Sequence, residues 1–491
     1  MKTAVVIIHG VGEQRPMDTL RGFVEAIAGS TDDRPGYYSK PDRMSELFEL
    51  RRLQTAGRAG AHFYEYYWAY NVEGTSIRDV LTWLGQLAAR RGRDVPAPAK
   101  SLWLLTRVIA LMMVVLAISG ALGGVRTWYQ ALSPFTVAWF VIAGVVLLFQ
   151  YFVVSYLGDA ARYLSPTPRN IRLRQKIRGE GVKLLRTLHA RQEYDRIVIV
   201  GHSLGSVIGY DIITHLWHDY SESLPGLKDA DTQAAVRACL AHELPVQTVV
   251  RSELSAIGEQ LGVNVTAAQL EEFRDTQVRC FREQRRLGHP WSITDFITLG
   301  SPLTHAMLFL ASSADDFEAR KRQRELPTCP PLRDEKGYAY GAPAPVDIGE
   351  GKKFTPLLLH HGAPFAVTRW TNLFIPARLG LFGDIVGGPL APALGYGIKD
   401  IPVRTDLWRG WSDRTLRAHL SYWSAFAPSP AAKTATPIAL SQLRDTLALS
   451  RRDAFGASEW PIHDAIPTRP DPDRSSQFHS LMKEKPPPAE V

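Results

Sequence analysis

Residues 196–206 read RIVIVGHSLGS. Four apolar, β-favouring residues, Ile197 to Val200, run straight into Gly201-His202-Ser203-Leu204-Gly205. A serine between two glycines in this spacing is the G-x-S-x-G pattern, in which a strand turns sharply into a helix and thrusts the hydroxyl out at the sheet's C-terminal edge. The glycines permit the strained turn, because larger side chains there would strike the neighbouring strand and helix. The N–H of Leu204 then lies at a helix N-terminus, free to donate to an oxyanion. A glycine-rich turn without chemistry could carry the same letters. The β run before the pattern and the helical run SVIGYDIITHLW after it favour the reactive serine.

The chain of 491 residues is long enough for two or three structural units. With 45% apolar and 22% charged residues it is globular in composition. Cys239, Cys280 and Cys329 form no CxxC pair, so no disulfide framework or zinc site is expected, and a reducing compartment is favoured. The net charge of +8 does not point to nucleic acid, since the basic residues gather beside an apolar segment instead of interleaving with aromatics. The opening MKTAVVIIHG is too short an apolar run for a signal peptide and reads as a first core strand.

Two long uncharged runs interrupt the pattern. Val108 to Val125 spans 18 residues, and Thr127 to Gly158 another 32. At about 1.5 Å per residue the first reaches about 27 Å, close to the ~30 Å hydrocarbon thickness. The expectation is a two-helix transmembrane hairpin over 101–158, with Trp103, Trp128, Tyr129, Tyr151 and Tyr156 near its interfaces. Arg90, Arg91, Arg93 and Lys100 precede it, and Arg162, Arg169, Arg172, Arg174, Lys176 and Arg178 follow, against Arg126 alone in the connection. That asymmetry puts both flanks in the cytoplasm. A buried soluble hairpin, or an apolar lid over a lipid site, is the alternative.

Along the rest of the chain, strands are expected at 3–9, 45–53, 61–70, 196–200, 295–302 and 366–375. Helical patterns cover about 17–28, 75–91 and 171–190. The alternation predicts a mostly parallel sheet with helices on both faces. Residues 220–290 are polar and helix-prone, an insertion read as a cap, with AAQLEEFRDTQVRCFREQRRLG as one helix ended by Gly288. The expected division is 1–100, 159–219 and 291–430 for the α/β domain, with 101–158 as hairpin and 220–290 as cap. The remainder, 431–491, is an extension whose Pro-rich end is predicted to be disordered.

VIVGHSLGS and VVIIHGVGE together resemble signatures of the α/β-hydrolase superfamily, in its lipase and esterase branch. The resemblance covers the sheet-forming parts of residues 1–430, and neither the hairpin, the 220–290 insertion nor the tail. It implies a Ser–His–acid serine hydrolase needing no metal or organic cofactor. It also implies that the Val11 N–H joins that of Leu204 in an oxyanion hole, with Gly10 and Gly12 allowing close approach and His9 structural.

The family order is serine, acid, histidine. Of the downstream histidines, His215 and His218 fall on the helix after Ser203, and His463 and His479 in the weakly patterned end. His242 lacks a zincin partner, and His289 closes the insertion, which leaves His305, His360, His361 and His419. His419, in TLRAHLSYWS beyond the last expected strand, is the first choice of base, with His360 or His361 the fallback. Asp384 follows the 366–375 strand in a glycine-rich stretch and is the expected acid; Asp400, Asp406 and Asp413 compete. Ser301, in FITLGSPL, reads as pocket wall; Glu65 is a buried-carboxylate candidate, read first as a paired structural residue. The expected activity is cleavage of lipophilic acyl esters at a membrane. A thioesterase or peptidase on the same fold, or a silent scaffold binding a partner through 220–290, is the rival.

Overall fold

Strand β1 (Thr3–Ile8) is buried at every residue, and the architecture is arranged around it. The computed structural model describes residues 2–11, 15–28, 36–42, 51–55, 61–72, 89–92, 95, 100, 103–104, 107–108, 111, 114, 163–164, 168–191, 193–221, 224–242, 246–247, 250–333, 337–338, 345–377, 383–384, 386–404, 416–423 and 438–449. The remaining strands are β2 (Tyr37–Pro41), β3 (Arg51–Thr55), β4 (His62–Tyr66), β5 (Arg196–His202), β6 (Ile293–Leu299), β7 (Val346–Asp347), β8 (Lys353–Phe354), β9 (Arg369–Phe374) and β10 (Lys399–Pro402). Eight of them form one sheet in the order β10-β9-β6-β5-β1-β4-β3-β2, while β7 and β8 pair separately. From β10 to β4 every pairing is parallel, and β3 is antiparallel to both β4 and β2.

The main helices are α1 (Asp18–Ala28), α2 (Pro168–Ala190), α3 (Leu204–Tyr220), α4 (Ala230–Ala241), α5 (Val250–Gln260), α6 (Ala267–Arg286) and the short α7 (Ala306–Leu310). Side chains alternate across a strand, so β1 and β5 feed two cores. Ala4, Val6, Ile8, Ile197 and Ile199 pack under α2, α3 and α6 through Ile177, Leu185, Val207, Ile208 and Phe273. Val5, Ile7, Val198 and Val200 meet α1 through Leu20, Phe23 and Val24 on the other face. The helix Ala439–Leu447 joins that second core with Leu443 and Leu447. This is an α/β fold with a mostly parallel central sheet covered on both faces, as the strand–helix alternation predicts.

Helix α6 begins with a Thr266–Gln269 capping box and is closed by Gly288 at φ +81°. The expected hairpin lies almost wholly outside the described residues, as do the helix expected at 75–91 and residues 450–491. Among the described residues no helix is long and apolar enough to cross a membrane.

The turn around Ser203 leaves no room for side chains at its two flanking glycines. A Cβ at Gly205 would sit 2.1 Å from the Ile8 carbonyl oxygen, and one at Gly201 would sit 2.5 Å from the Ser206 Cα. Both obstacles are backbone, which cannot swing aside. Gly205→Ala is therefore expected to abolish cooperative folding or lower the melting temperature steeply. Gly179→Ala, in the α2 interior with nothing within 4 Å of the new methyl, should stabilise by about 0.5–1 kcal/mol. Thermal unfolding of the two variants checks the contrast; comparable effects at both positions would contradict it.

Candidate active site

Strand β5 ends at His202, and α3 begins at Leu204, so Ser203 alone makes the turn. It does so at φ +51°, ψ −128°, a conformation that costs a non-glycine residue on the order of 1–3 kcal/mol. Two hydroxyls brace the turn. Ser206 Oγ donates to the Ser203 carbonyl at 2.6 Å and lies 2.6 Å from Ser301 Oγ. Ser301 is fully buried in this network.

His419 lies on the 3₁₀ segment Leu416–Leu420. Its Nε2 is 2.8 Å from Ser203 Oγ, and its Nδ1 is 2.9 Å from Asp384 Oδ1. A carboxylate only accepts, so Nδ1 carries the proton and Nε2 is left to accept from the serine hydroxyl. The serine, histidine and acid read from the sequence are thus brought into one chain of hydrogen bonds. Asp384 is completely buried. Its Oδ1 also accepts from the Val386 and Gly387 N–H groups at 2.9 and 2.8 Å, and its Oδ2 from the Tyr422 hydroxyl at 2.6 Å. Burial by itself would raise this carboxyl, but His419, Tyr422 and the Gly387 N–H outweigh it and hold it at about 2.

The loop after β1 closes over the serine. A Cβ on Gly10 would lie 2.8 Å from Ser203 Cβ, so the backbone leading to Val11 passes directly against the hydroxyl-bearing residue. Leu204 is the first residue of α3, where the N–H has no intrahelical acceptor. Gly12 is outside the described residues. His9 is structural in its contacts: its ring stacks on Trp68 with centroids 5.1 Å apart, and Trp68 Nε1 donates to the His9 carbonyl at 2.9 Å. Burial lowers its pKa to about 4, so the ring is neutral.

The competitors are engaged elsewhere. His360 donates through Nε2 to the Leu332 carbonyl and accepts the Gly362 N–H, and His361 packs edge-on to His218. Asp400 accepts from Asn372 and from the Leu390 and Ala391 N–H groups. Asp406 and Asp413 fall outside the described residues. Glu65 is buried with one oxygen accepting the Met17 N–H at 2.7 Å, and burial raises its pKa to about 7. Its other oxygen, Oε1, is buried without a hydrogen bond among the described residues.

Three supporting residues escaped the sequence reading. His202 donates from Nε2 to the His419 carbonyl at 2.8 Å, tying the histidine segment to the serine turn. Burial, then the neighbouring His419, lowers the His202 pKa to about 3. Tyr422 steadies Asp384 and accepts the Ile375 N–H at 3.1 Å. Gly300, at φ +54°, leaves the space that Asp384 Oδ2 and His419 Nδ1 occupy, since a Cβ there would lie 2.6 and 3.0 Å from them. The lone signal was position: His202 inside the motif, Tyr422 three residues after the base.

Among the described residues no group of His, Cys, Asp or Glu is arranged to hold a metal ion. Compared with protein-family models, with curated proteins and with solved structures, the chain finds no match in any of the three.

Tyr422→Phe removes a donor from a buried carboxylate and orphans a buried N–H, so it should destabilise by about 1–3 kcal/mol at neutral pH. Asp384 is depressed from 3.8 to about 2 in the folded protein, so its stabilisation is present above the unfolded value and lost as pH falls through the folded one. With one donor fewer the variant's carboxyl protonates at higher pH. The stability gap to wild type is therefore widest near neutrality and narrows toward pH 2, as denaturant titrations at several pH values would register. A gap that widens on acidification would contradict the assignment.

Proposed function

We propose that the protein is a serine hydrolase of the α/β-hydrolase type that cleaves acyl esters. The observation that carries this reading is the continuous Ser203–His419–Asp384 relay, 2.8 and 2.9 Å long, mounted on a strained strand-to-helix turn. Serine, acid and histidine also follow one another along the chain in the order of that superfamily. A serine hydroxyl is a weak nucleophile near neutral pH, and the relay removes that limitation. His419 Nε2 takes the proton as Ser203 Oγ attacks the acyl carbonyl, and Asp384 stabilises the imidazolium that forms. The N–H groups of Leu204 and Val11 receive the oxyanion, a contribution on the order of 10²–10³ in rate per donor. His419 then returns the proton to the leaving alcohol. A water molecule, deprotonated by the same imidazole, attacks the acyl-enzyme carbonyl, and the proton passes to Ser203 Oγ as the acid leaves.

The lipophilic character of the substrate rests on the sequence. Uncharged runs of 18 and 32 residues between β4 and α2, flanked on both sides by arginine and lysine, read as a two-pass anchor with the hydrolase domain in the cytoplasm. A domain held at the bilayer takes up long-chain esters without lifting them into water, which would cost ~0.8 kcal/mol per CH₂.

The test is covalent labelling with a fluorophosphonate together with turnover of esters, thioesters and peptides. Ser203 is expected to be the labelled residue, and Ser203→Ala to be folded, unlabelled and inactive. His419→Ala and Asp384→Asn should each reduce ester turnover by about 10⁴, with the double variant little worse than the poorer single. Labelling that persists elsewhere in Ser203→Ala would overturn the nucleophile. An unlabelled, inactive wild type would make the protein a scaffold. Faster turnover of thioesters or peptides than of esters would move the substrate class.

A further inference from the structure

The segment just before the apolar run is fastened to α7, which follows Ser301–His305. Arg90 donates to the carbonyls of Met307, Leu308 and Ala311 at 3.3, 2.9 and 2.7 Å. These lie at the C-terminal end of α7, where carbonyls lack intrahelical donors and a cation is favoured. Trp103 packs against a small core of Val95 and Leu308. The Arg107 guanidinium lies 4.1 Å from the Trp103 ring centroid and donates to the Arg90 carbonyl at 3.2 Å. Arg90, Trp103 and Arg107 therefore form one cluster gripping α7. That helix continues directly from Ser301–His305, and Ser301 Oγ touches Ser206 on the first turn after Ser203. One continuous stretch of chain, Ser301 to Leu310, thus links the turn that carries Ser203 to the Arg90 cluster.

The same segment turns apolar side chains outward. Leu104, Val108, Leu111 and Val114 are helical and 57, 45, 65 and 54% exposed. Leu104, Val108 and Leu111 stand at i, i+4 and i+7 and share one helix face. In sequence the run continues without a charge to Val125, and Arg90, Arg91, Arg93, Lys100 and Arg107 precede it. An apolar stripe with cations at one end matches the chemistry of a bilayer whose surface is anionic.

We propose that this stripe enters an anionic phospholipid bilayer and that the Arg90–Trp103–Arg107 cluster holds the α7 wall of the site at the lipid surface, so that an acyl chain passes from lipid to Ser203 along that wall. The proposal rests on the ester-hydrolase reading and adds to it the route of the substrate. Two readouts keep the failures separate. In the full-length protein reconstituted into phosphatidylcholine–phosphatidylglycerol vesicles, a nitroxide attached through Leu111→Cys should be more accessible to oxygen than to a water-soluble nickel chelate. This readout needs no catalysis. Preferential access of nickel, or dipolar broadening between labels on two copies, would overturn the lipid seat. The second readout is Arg90→Gln, with Trp103→Ala as companion. Turnover of a long-chain ester in the vesicle membrane should fall at least tenfold, with fluorophosphonate labelling of Ser203 and turnover of a soluble short-chain ester within twofold of wild type. Unchanged turnover of the embedded ester, or equal loss on both esters in both variants, would overturn the route. A wild type that takes no fluorophosphonate fails the hydrolase reading instead.

Discussion

At Ser203 the chain leaves a buried strand and enters a buried helix within one residue, and the rest of the site is built around that turn. The backbone sits at a positive φ, a state that persists only when its surroundings over-determine it. Those surroundings are specific. Gly205 lies against the β1 carbonyls, Gly201 against Ser206, and the Ser206 and Ser301 hydroxyls clamp the turn from the side. β1 runs parallel to β5 in register, with Ile8 opposite Gly201, and the chain leaving β1 passes against the serine at Gly10. One strained residue thus fixes the hydroxyl, the first helical N–H and the neighbouring loop together.

The electrostatics follow from burial. His9 and His202 are neutral because burial pushes their pKa values down to about 4 and about 3. Asp384 stays ionised, since four hydrogen bonds converge on its two oxygens. The centre therefore holds one fixed negative charge directly behind His419, with uncharged rings around it. In the proposed mechanism a proton passed to His419 meets a counter-charge already in place, so little reorganisation is needed. His202 adds mechanical restraint by holding the His419 backbone through its carbonyl.

Much of this was legible in the sequence wherever a local rule applied. The β run, the paired glycines and the helical run around Ser203 each follow from short-range geometry. Asp384 and His419 followed from the chain order that the α/β-hydrolase resemblance implies and from their places after expected strands. What was not legible depends on long-range packing. Strand β2 is an exposed edge without alternation, and β10 spans four residues, too few for a pattern. The helix Ala439–Leu447 is short and isolated in a segment rich in proline and serine, so its burial against α1 had no sequence counterpart. Tyr422 reaches Asp384 across 38 residues because two loops converge, and neither loop announces its path. Glu65 read as a paired structural residue, yet one oxygen accepts the Met17 N–H while burial raises the carboxyl to about 7, an environment set by the fold and not by its neighbours in sequence.

The central claim is that Ser203, His419 and the two backbone amides act on one tetrahedral centre. A crystal structure after reaction with an alkyl phosphonate tests it most directly, because the phosphorus adopts that geometry. The account expects a bond from phosphorus to Ser203 Oγ, with the phosphoryl oxygen within about 3.2 Å of the Val11 and Leu204 nitrogens. A phosphoryl oxygen beyond reach of both amides, or a phosphonate on any other residue, would contradict it.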